Sequence, residues 1–245
     1  MTAPRFFVSM VLAPGMVGET IALPEAAAHH ATRVVRLGVG DALTLFAGTG
    51  GEYAATIVHI DKRGAAARID GYAPVEREAA LRVTLAQAIT ANDAMDYAVR
   101  KATELGVAAI QPLVTARSAP LPAGERGERR HAHWRQIAIA ACEQCGRNRV
   151  PEILAPQPLA GWLAGWRDGG IVFAPEGRSG LAALPAPVAP IALLIGPEGG
   201  WTAQEVAAAA RAGFAAAQLG PRILRAETAA VAALAAVHAL WGDLR

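Results

Sequence analysis

Two stretches of the chain combine glycine, proline and charged residues in an order that suits ligand binding by the backbone. The first is Leu194-Ile195-Gly196-Pro197-Glu198-Gly199-Gly200-Trp201 and the second is Leu219-Gly220-Pro221-Arg222-Ile223-Leu224-Arg225-Ala226-Glu227-Thr228-Ala229. In the first, an apolar run from Ile191 to Ile195 stops at three glycines and a proline. Thr202-Ala203-Gln204-Glu205 then reads as a capping box that opens a helix. In the second, Ala215 to Leu219 reads as a short strand, Gly220-Pro221 breaks it, and an alanine-rich helix is expected from about Ala226 to Trp241. A third apolar run, Ile171 to Ala174, ends in Pro175-Glu176-Gly177. Ligands of α/β proteins sit at the carboxyl ends of strands, and glycine lets backbone N–H and C=O groups approach them closely. The expected chemistry is recognition of a ligand with polar edges.

Other chemistries fit less well. Gly196-Pro197-Glu198-Gly199-Gly200 lacks the Lys-Ser/Thr ending of a phosphate loop, and its glycine spacing misses the dinucleotide fingerprint. Cys142 and Cys145 have CxxC spacing, but neither a second CxxC nor a His-x-x-x-His pair completes a zinc site, so no metal is expected. The pair falls near the end of an expected helix, whereas a redox motif opens one; two ordinary helical thiols are the simpler reading. From Arg117 to Arg149 seven arginines face three glutamates, a local excess of four positive charges in a chain whose net charge is +2. Such a cluster suits a polyanion such as RNA, and suits a solvated helix and loop equally.

These loops need a scaffold, and 245 residues suffice for one large domain or two modest ones. Residues 1–73 read as small-barrel material. Strands are expected at Arg5 to Val8, Thr20 to Leu23, Ala42 to Ala47, Glu52 to Ile60 and Ala65 to Asp70, with a short helix from Pro24. Residues 74–80, with Pro74 and three charged residues, read as a linker. Residues 81–245 change rhythm. Strands at Leu81 to Ile89, Val107 to Val114 and Ile171 to Ala174 alternate with helices at Asp93 to Leu105, about Arg129 to Cys145 and Leu159 to Trp166. Alternation of this kind indicates an α/β domain with a mainly parallel sheet covered on both faces. Hydrophobic content is 53%, much of it alanine, and no apolar run reaches the length of a membrane span. Met1 to Met16 makes a poor secretory signal, so a cytoplasmic protein is expected.

The pair IGPEGGW and LGPRILRAETA resembles the signature of the RsmE family, SPOUT-class methyltransferases acting on N3 of a uridine in 16S ribosomal RNA. The similarity continues through Arg5-Phe6-Phe7-Val8, His29-His30, Val34-Val35-Arg36-Leu37, Gly40-Asp41, Lys101 to Val107, Pro112-Leu113, Arg117-Ser118, Glu143-Gln144, Arg147 and Pro151. One departure is Thr90-Ala91-Asn92-Asp93-Ala94, where relatives often carry lysine and glycine. The resemblance implies a PUA-like RNA-binding barrel followed by an α/β domain with a trefoil knot. It also implies S-adenosylmethionine held in the knot, a homodimer with active sites at the interface, and the small ribosomal subunit as partner. A transfer RNA methylase of the same fold and a non-catalytic RNA-binding protein are the rival readings.

On this resemblance the cofactor is expected against Ala174, Pro175, Glu176, Ile195, Gly196, Gly199, Gly200, Leu219, Gly220, Ile223, Leu224 and Thr228. Arg225 is expected to stabilise charge on the uracil, and Glu198 either to remove a proton or to fix its loop. Arg5, His29, Arg33, Arg36, Arg117 and Arg147 are expected to hold RNA. Thr228 and Glu227 also suit the cap of a helix start. His29 and His30 also suit a packed pair, and Trp201 suits either a pocket wall or the core.

Overall fold

The computed structural model describes residues 3–120, 122, 124–175, 177, 179–187 and 190–244. The chain forms two compact units, and no single cut separates them. One comprises Met1–Glu78 with Ile139–Val150, the other Ala79–Ala138 with Pro151–Arg245.

The first unit is built on a five-stranded sheet of β1 (Arg5–Phe7), β2 (Thr20–Ala22), β3 (Ala42–Phe46), β4 (Glu52–Asp61) and β5 (Gly64–Ala73), in the order β1-β3-β4-β5-β2. Only the β1–β3 pair is parallel. Strand alternation does the sorting: Tyr53, Ala55 and Ile57 of β4 turn inward while Ala54 faces water, and a register shift after Ile57 turns His59 outward. Together with Phe6, Leu43, Leu45 and Ile69 they make the core. Helix α1 (Glu25–His29) continues into a π-helical turn over His30–Val34. Of segment 74–80, residues 74–78 are fastened within this unit, and Ala79 and Ala80 belong to the second. Glu78 pairs with Arg147, the Val75 carbonyl accepts from Asn148, and Glu76 accepts from the Gly51 N–H at 2.9 Å.

The second unit carries a seven-stranded sheet: β6 (Val83–Ala88), β7 (Ala109–Val114), β8 (Glu152–Ile153), β9 (Gln157–Pro158), β10 (Gly170–Phe173), β11 (Ile191–Ile195) and β12 (Phe214–Ala217). The order is β12-β10-β11-β6-β7-β8, β9 also pairs with β7, and every pairing is parallel. All five residues of β11 are buried, as a central strand covered on both faces requires. Helices α2 (Asn92–Glu104) and α6 (Ala226–Trp241) pack together, and α6 also packs on β11. Trp162 and Leu163 of α4 (Leu159–Gly165) and Ala209 of α5 (Ala203–Arg211) share a second apolar cluster with Ala86, Val172, Ala192 and Leu194.

Helix α3 (Glu125–Cys145) begins four residues before the expected Arg129, with Glu125 and Glu128 in its first turn, where acidic side chains favour the helix dipole. Its last turns belong to the first unit. Strand β12 ends at Ala217, two residues before the expected Leu219: Gln218 makes an isolated bridge to Gly180, and Gln218 and Leu219 line a cleft. No helix among the described residues is long and apolar enough to cross a membrane.

Candidate active site

The site follows from strand register. Phe173 of β10 pairs with Ile195 of β11 on one side and Ala217 of β12 on the other, so three neighbouring strands end at one level. Their loops leave the sheet together. They enclose a cleft of about 350 Å³, at the small end of the range for cofactor pockets.

Most of the expected cofactor residues meet there. Ala174, Pro175, Ile195, Gly196, Gly200, Leu219, Gly220, Ile223 and Leu224 line the cleft, as do Glu198 and Arg225. Gly199 and Thr228 are not among its walls, and Glu176 lies outside the described residues. Phe173, Pro197, Gln218, Pro221, Arg222, Ala226 and Ala229 are walls that were not among the expected cofactor residues, although all but Phe173 and Gln218 stand within the two motifs. Each sits within or directly beside one of the three loops, so loop membership was the available signal.

The cleft suits a ligand with an apolar body and polar edges. Leu219, Leu224, Ala226 and Ala229 supply apolar surface. Among the described residues, no backbone hydrogen bond forms between Leu219 and Leu224, which leaves peptide donors and acceptors available to a ligand. Gly220, with φ +81°, holds the turn in the left-handed region that side chains disfavour. Trp201 does both jobs expected of it. Its ring lines the cleft and packs on the apolar cluster, and its Nε1–H donates to the Phe173 carbonyl at 3.0 Å. A Cβ at Gly196 would stand 3.2 Å from that ring, a tight contact that favours glycine there.

Glu198 is exposed, and its Oε1 accepts from the backbone N–H of Ala91, the N-cap of α2, at 3.2 Å. That bond serves a helix end with no side-chain cap of its own. Thr202 and Glu205 form the expected capping box. At α6 the N-cap is Arg225, whose side chain makes no cap bond, and Glu227 lies in the first turn, where an acidic side chain favours the helix dipole. The Arg225 side chain is exposed and forms no salt bridge among the described residues.

The residues expected to hold RNA divide sharply. His29, Arg33 and Arg36 are exposed on α1 and the turn after it, and Arg36 has φ 64°, a strained value for a side chain of its size. His30 is packed: its ring meets Phe6 edge-on at 5.3 Å and lies 3.5 Å from Glu143. Arg147 departs from expectation. It is 3% exposed and bound in fork geometry by Glu78, and a guanidinium so occupied has no face left for a phosphate. Arg5 is similarly engaged, donating to Glu52 at 2.7 Å and to Asn148 Oδ1 at 2.5 Å. Arg117 is exposed but donates to the Gly199 carbonyl at 2.9 Å.

Burial shapes the titrating groups of the first unit. For Glu52, burial pushes the carboxyl up, but hydrogen bonds from Arg5, Arg77 and Asn148 outweigh it and hold the group below its usual range. Burial raises Glu143, against the opposing effect of the Phe7 N–H. The Cys142 thiol is pushed up to about 12 by burial, and Cys142 and Cys145 are both free. Among the described residues no group of three His, Cys, Asp or Glu side chains could hold a metal ion.

Comparison with known proteins places these features. The RNA methyltransferase domain family matches residues 77–238, and the RNA methyltransferase PUA domain family matches residues 23–70. Ribosomal RNA small subunit methyltransferase E of Buchnera aphidicola (from Schizaphis graminum) is 32% identical over 243 residues, covering 98% of each chain. Its Synechocystis namesake is 34% identical over 94% of this chain and 77% of its own. The crystal structure of ribosomal RNA small subunit methyltransferase E from Neisseria gonorrhoeae, bound to S-adenosyl methionine, is 37% identical, with TM-score 0.92 and full coverage of both chains. A Legionella pneumophila methyltransferase structure with bound SAM is 35% identical, with TM-score 0.95 and full coverage of both chains. The chain belongs to the ribosomal RNA small subunit methyltransferase E family of RNA methyltransferases.

Proposed function

We propose that this protein is a S-adenosylmethionine-dependent methyltransferase that modifies N3 of a uridine in 16S ribosomal RNA of the small ribosomal subunit. The observation that carries the reading is the cleft at the level ends of β10, β11 and β12. Its open backbone groups between Leu219 and Leu224 suit the edges of an adenine and a ribose, and its apolar walls suit the rest of the molecule. When bound, the cofactor supplies a methyl group already activated on a sulfonium.

What remains for the protein is placement and charge. The uracil must leave its stack and be held in line with the methyl group, with water excluded. Loss of the N3 proton leaves negative charge on the two flanking carbonyl oxygens. Arg225, exposed at the wall of the cleft, stabilises that charge. Glu198 acts as a loop anchor, since its carboxylate already accepts the Ala91 N–H. His29, Arg33 and Arg36 form a basic surface for RNA on the first unit.

A homodimer with active sites at its interface, a trefoil knot in the second unit and a cytoplasmic location complete the reading. Strand β11 lies between β10 and β6 although it follows both in the chain. The experiment is titration calorimetry of the pure protein with S-adenosylmethionine, followed by transfer of a labelled methyl group to small ribosomal subunits. Binding at micromolar or tighter affinity with transfer is expected. Absence of binding would favour a non-catalytic RNA-binding role, and transfer to transfer RNA alone would relocate the substrate.

A further inference from the structure

We propose that Arg117 is a positioning residue for the cofactor: it holds the loop 196–200 in its binding shape and is not an RNA ligand. This rests on the cofactor reading of the cleft and names what keeps one wall in place.

The sheet order sets the geometry. β10 and β12 lie on one side of β11, and β6 and β7 lie on the other. The cleft opens among β10, β11 and β12, so the loop after β11 turns one face to the ligand. Its other attachments come from the segments that follow β6 and β7. The Ala91 N–H donates to Glu198 at 3.2 Å, the Arg117 guanidinium donates to the Gly199 carbonyl at 2.9 Å, and the Ala116 N–H donates to Glu205 at 2.8 Å. Within the loop the one backbone bond recorded among the described residues is from the Gly200 N–H to the Pro197 carbonyl at 2.9 Å. The loop's shape therefore depends on its braces.

Arg117 is suited to brace. Its turn is fixed by Ser118 Oγ, which accepts the Thr115 N–H at 3.1 Å, and by the Ala119 N–H, which donates to the Ile89 carbonyl at 2.8 Å. The arginine stem lies across the loop backbone. A Cβ at Gly199 would sit 3.0 Å from the Arg117 Cβ and 3.3 Å from its Cδ, a tighter fit than most side-chain contacts. Gly199 does not line the cleft, and the close approach of Arg117 favours a glycine there. Glu205 joins the same arrangement, with Oε2 accepting the Thr202 N–H and Oε1 accepting the Ala116 N–H.

A loop held before the ligand arrives loses less conformational freedom on binding, and loosening it weakens affinity without altering the chemical step. The test measures S-adenosylmethionine binding by calorimetry, and methylation of small subunits, for the wild type, Arg117→Ala and Arg117→Lys. Arg117→Ala is expected to raise the cofactor Kd and KM about tenfold, to keep kcat at saturating cofactor within about twofold, and to leave the RNA KM unchanged. Arg117→Lys, which keeps one donor, is expected to recover part of the affinity. An unchanged cofactor Kd with a raised RNA KM would make Arg117 an RNA ligand and overturn the proposal, as would a loss confined to kcat. Failure of the wild type to bind S-adenosylmethionine would instead remove the cofactor reading itself. Should Arg117→Ala not fold, Gly199→Ala carries the test by displacing the arginine stem while keeping the guanidinium, and an unchanged Kd there would also overturn the proposal.

Discussion

The carboxylate of Glu198 accepts the backbone N–H of Ala91 at 3.2 Å across 107 residues of chain. A wall of the cofactor cleft is thus tied to the start of helix α2, and the only acidic group among the described cleft residues already has a partner. Glutamine in its place keeps an oxygen acceptor but no basic carboxylate. Glu198→Gln is therefore expected to methylate within about threefold of wild type, and Glu198→Ala to lose about tenfold or more, consistent with one charge-assisted bond worth about 1.5 kcal/mol. Comparison of the two in a steady-state assay checks this: equal loss in both would return Glu198 to the chemical step.

Arg225 and Arg222 are both exposed cations at the cleft, and Arg225 is the one that stands at the N-cap of α6. Arg225→Ala is expected to lower kcat by about a hundredfold, close to 3 kcal/mol of transition-state stabilisation, while changing the S-adenosylmethionine Kd by less than about threefold. Single-turnover methylation alongside calorimetry separates the two quantities. A variant that binds and methylates like wild type would remove Arg225 from the reaction.

Arg147 makes the opposite prediction from an RNA contact. Its buried guanidinium is bound by Glu78, so Arg147→Ala leaves a carboxylate beside an empty buried site and is expected to cost about 3 kcal/mol of stability. Thermal melting reads this directly. Salt dependence of RNA binding should be unchanged where the variant is folded, because no phosphate contact is lost.

Glu52 predicts a pH dependence. Its folded carboxyl titrates below the ordinary 4.5, the hydrogen bonds from Arg5, Arg77 and Asn148 overcoming the upward push of burial. Its stabilising contribution is therefore complete above the unfolded pKa and is lost as pH falls through the folded value. Glu52→Gln should melt below wild type near pH 7, and the gap should shrink as the pH is lowered from about 5 to about 3. A gap that widens with acid would contradict the assignment.

Local signals made much of the site legible in the sequence. Apolar runs ending in glycine and proline located the three loops, and Thr202 with Glu205 located the start of α5. What stayed hidden depends on pairings between distant segments. Nothing local shows that Phe173, Ile195 and Ala217 end at one level, because register is set by neighbouring strands. Arg147 reads as one arginine in a cluster of them and Arg5 as a lone basic residue near the start of the sequence, and only the fold sets them against Glu78 and Asn148. The inclusion of 139–150 in the first unit was equally invisible, since residues 139–145 continue a helix whose start belongs to the second.

The most direct test is the identity of the modified nucleoside. Small ribosomal subunits lacking the modification are incubated with the protein and S-adenosylmethionine, and the 16S ribosomal RNA is digested and examined by mass spectrometry. The account predicts one 3-methyluridine per RNA, absent when Arg225→Ala replaces the wild type over the same interval. A methyl group on another base, or none from protein that binds the cofactor, would contradict it.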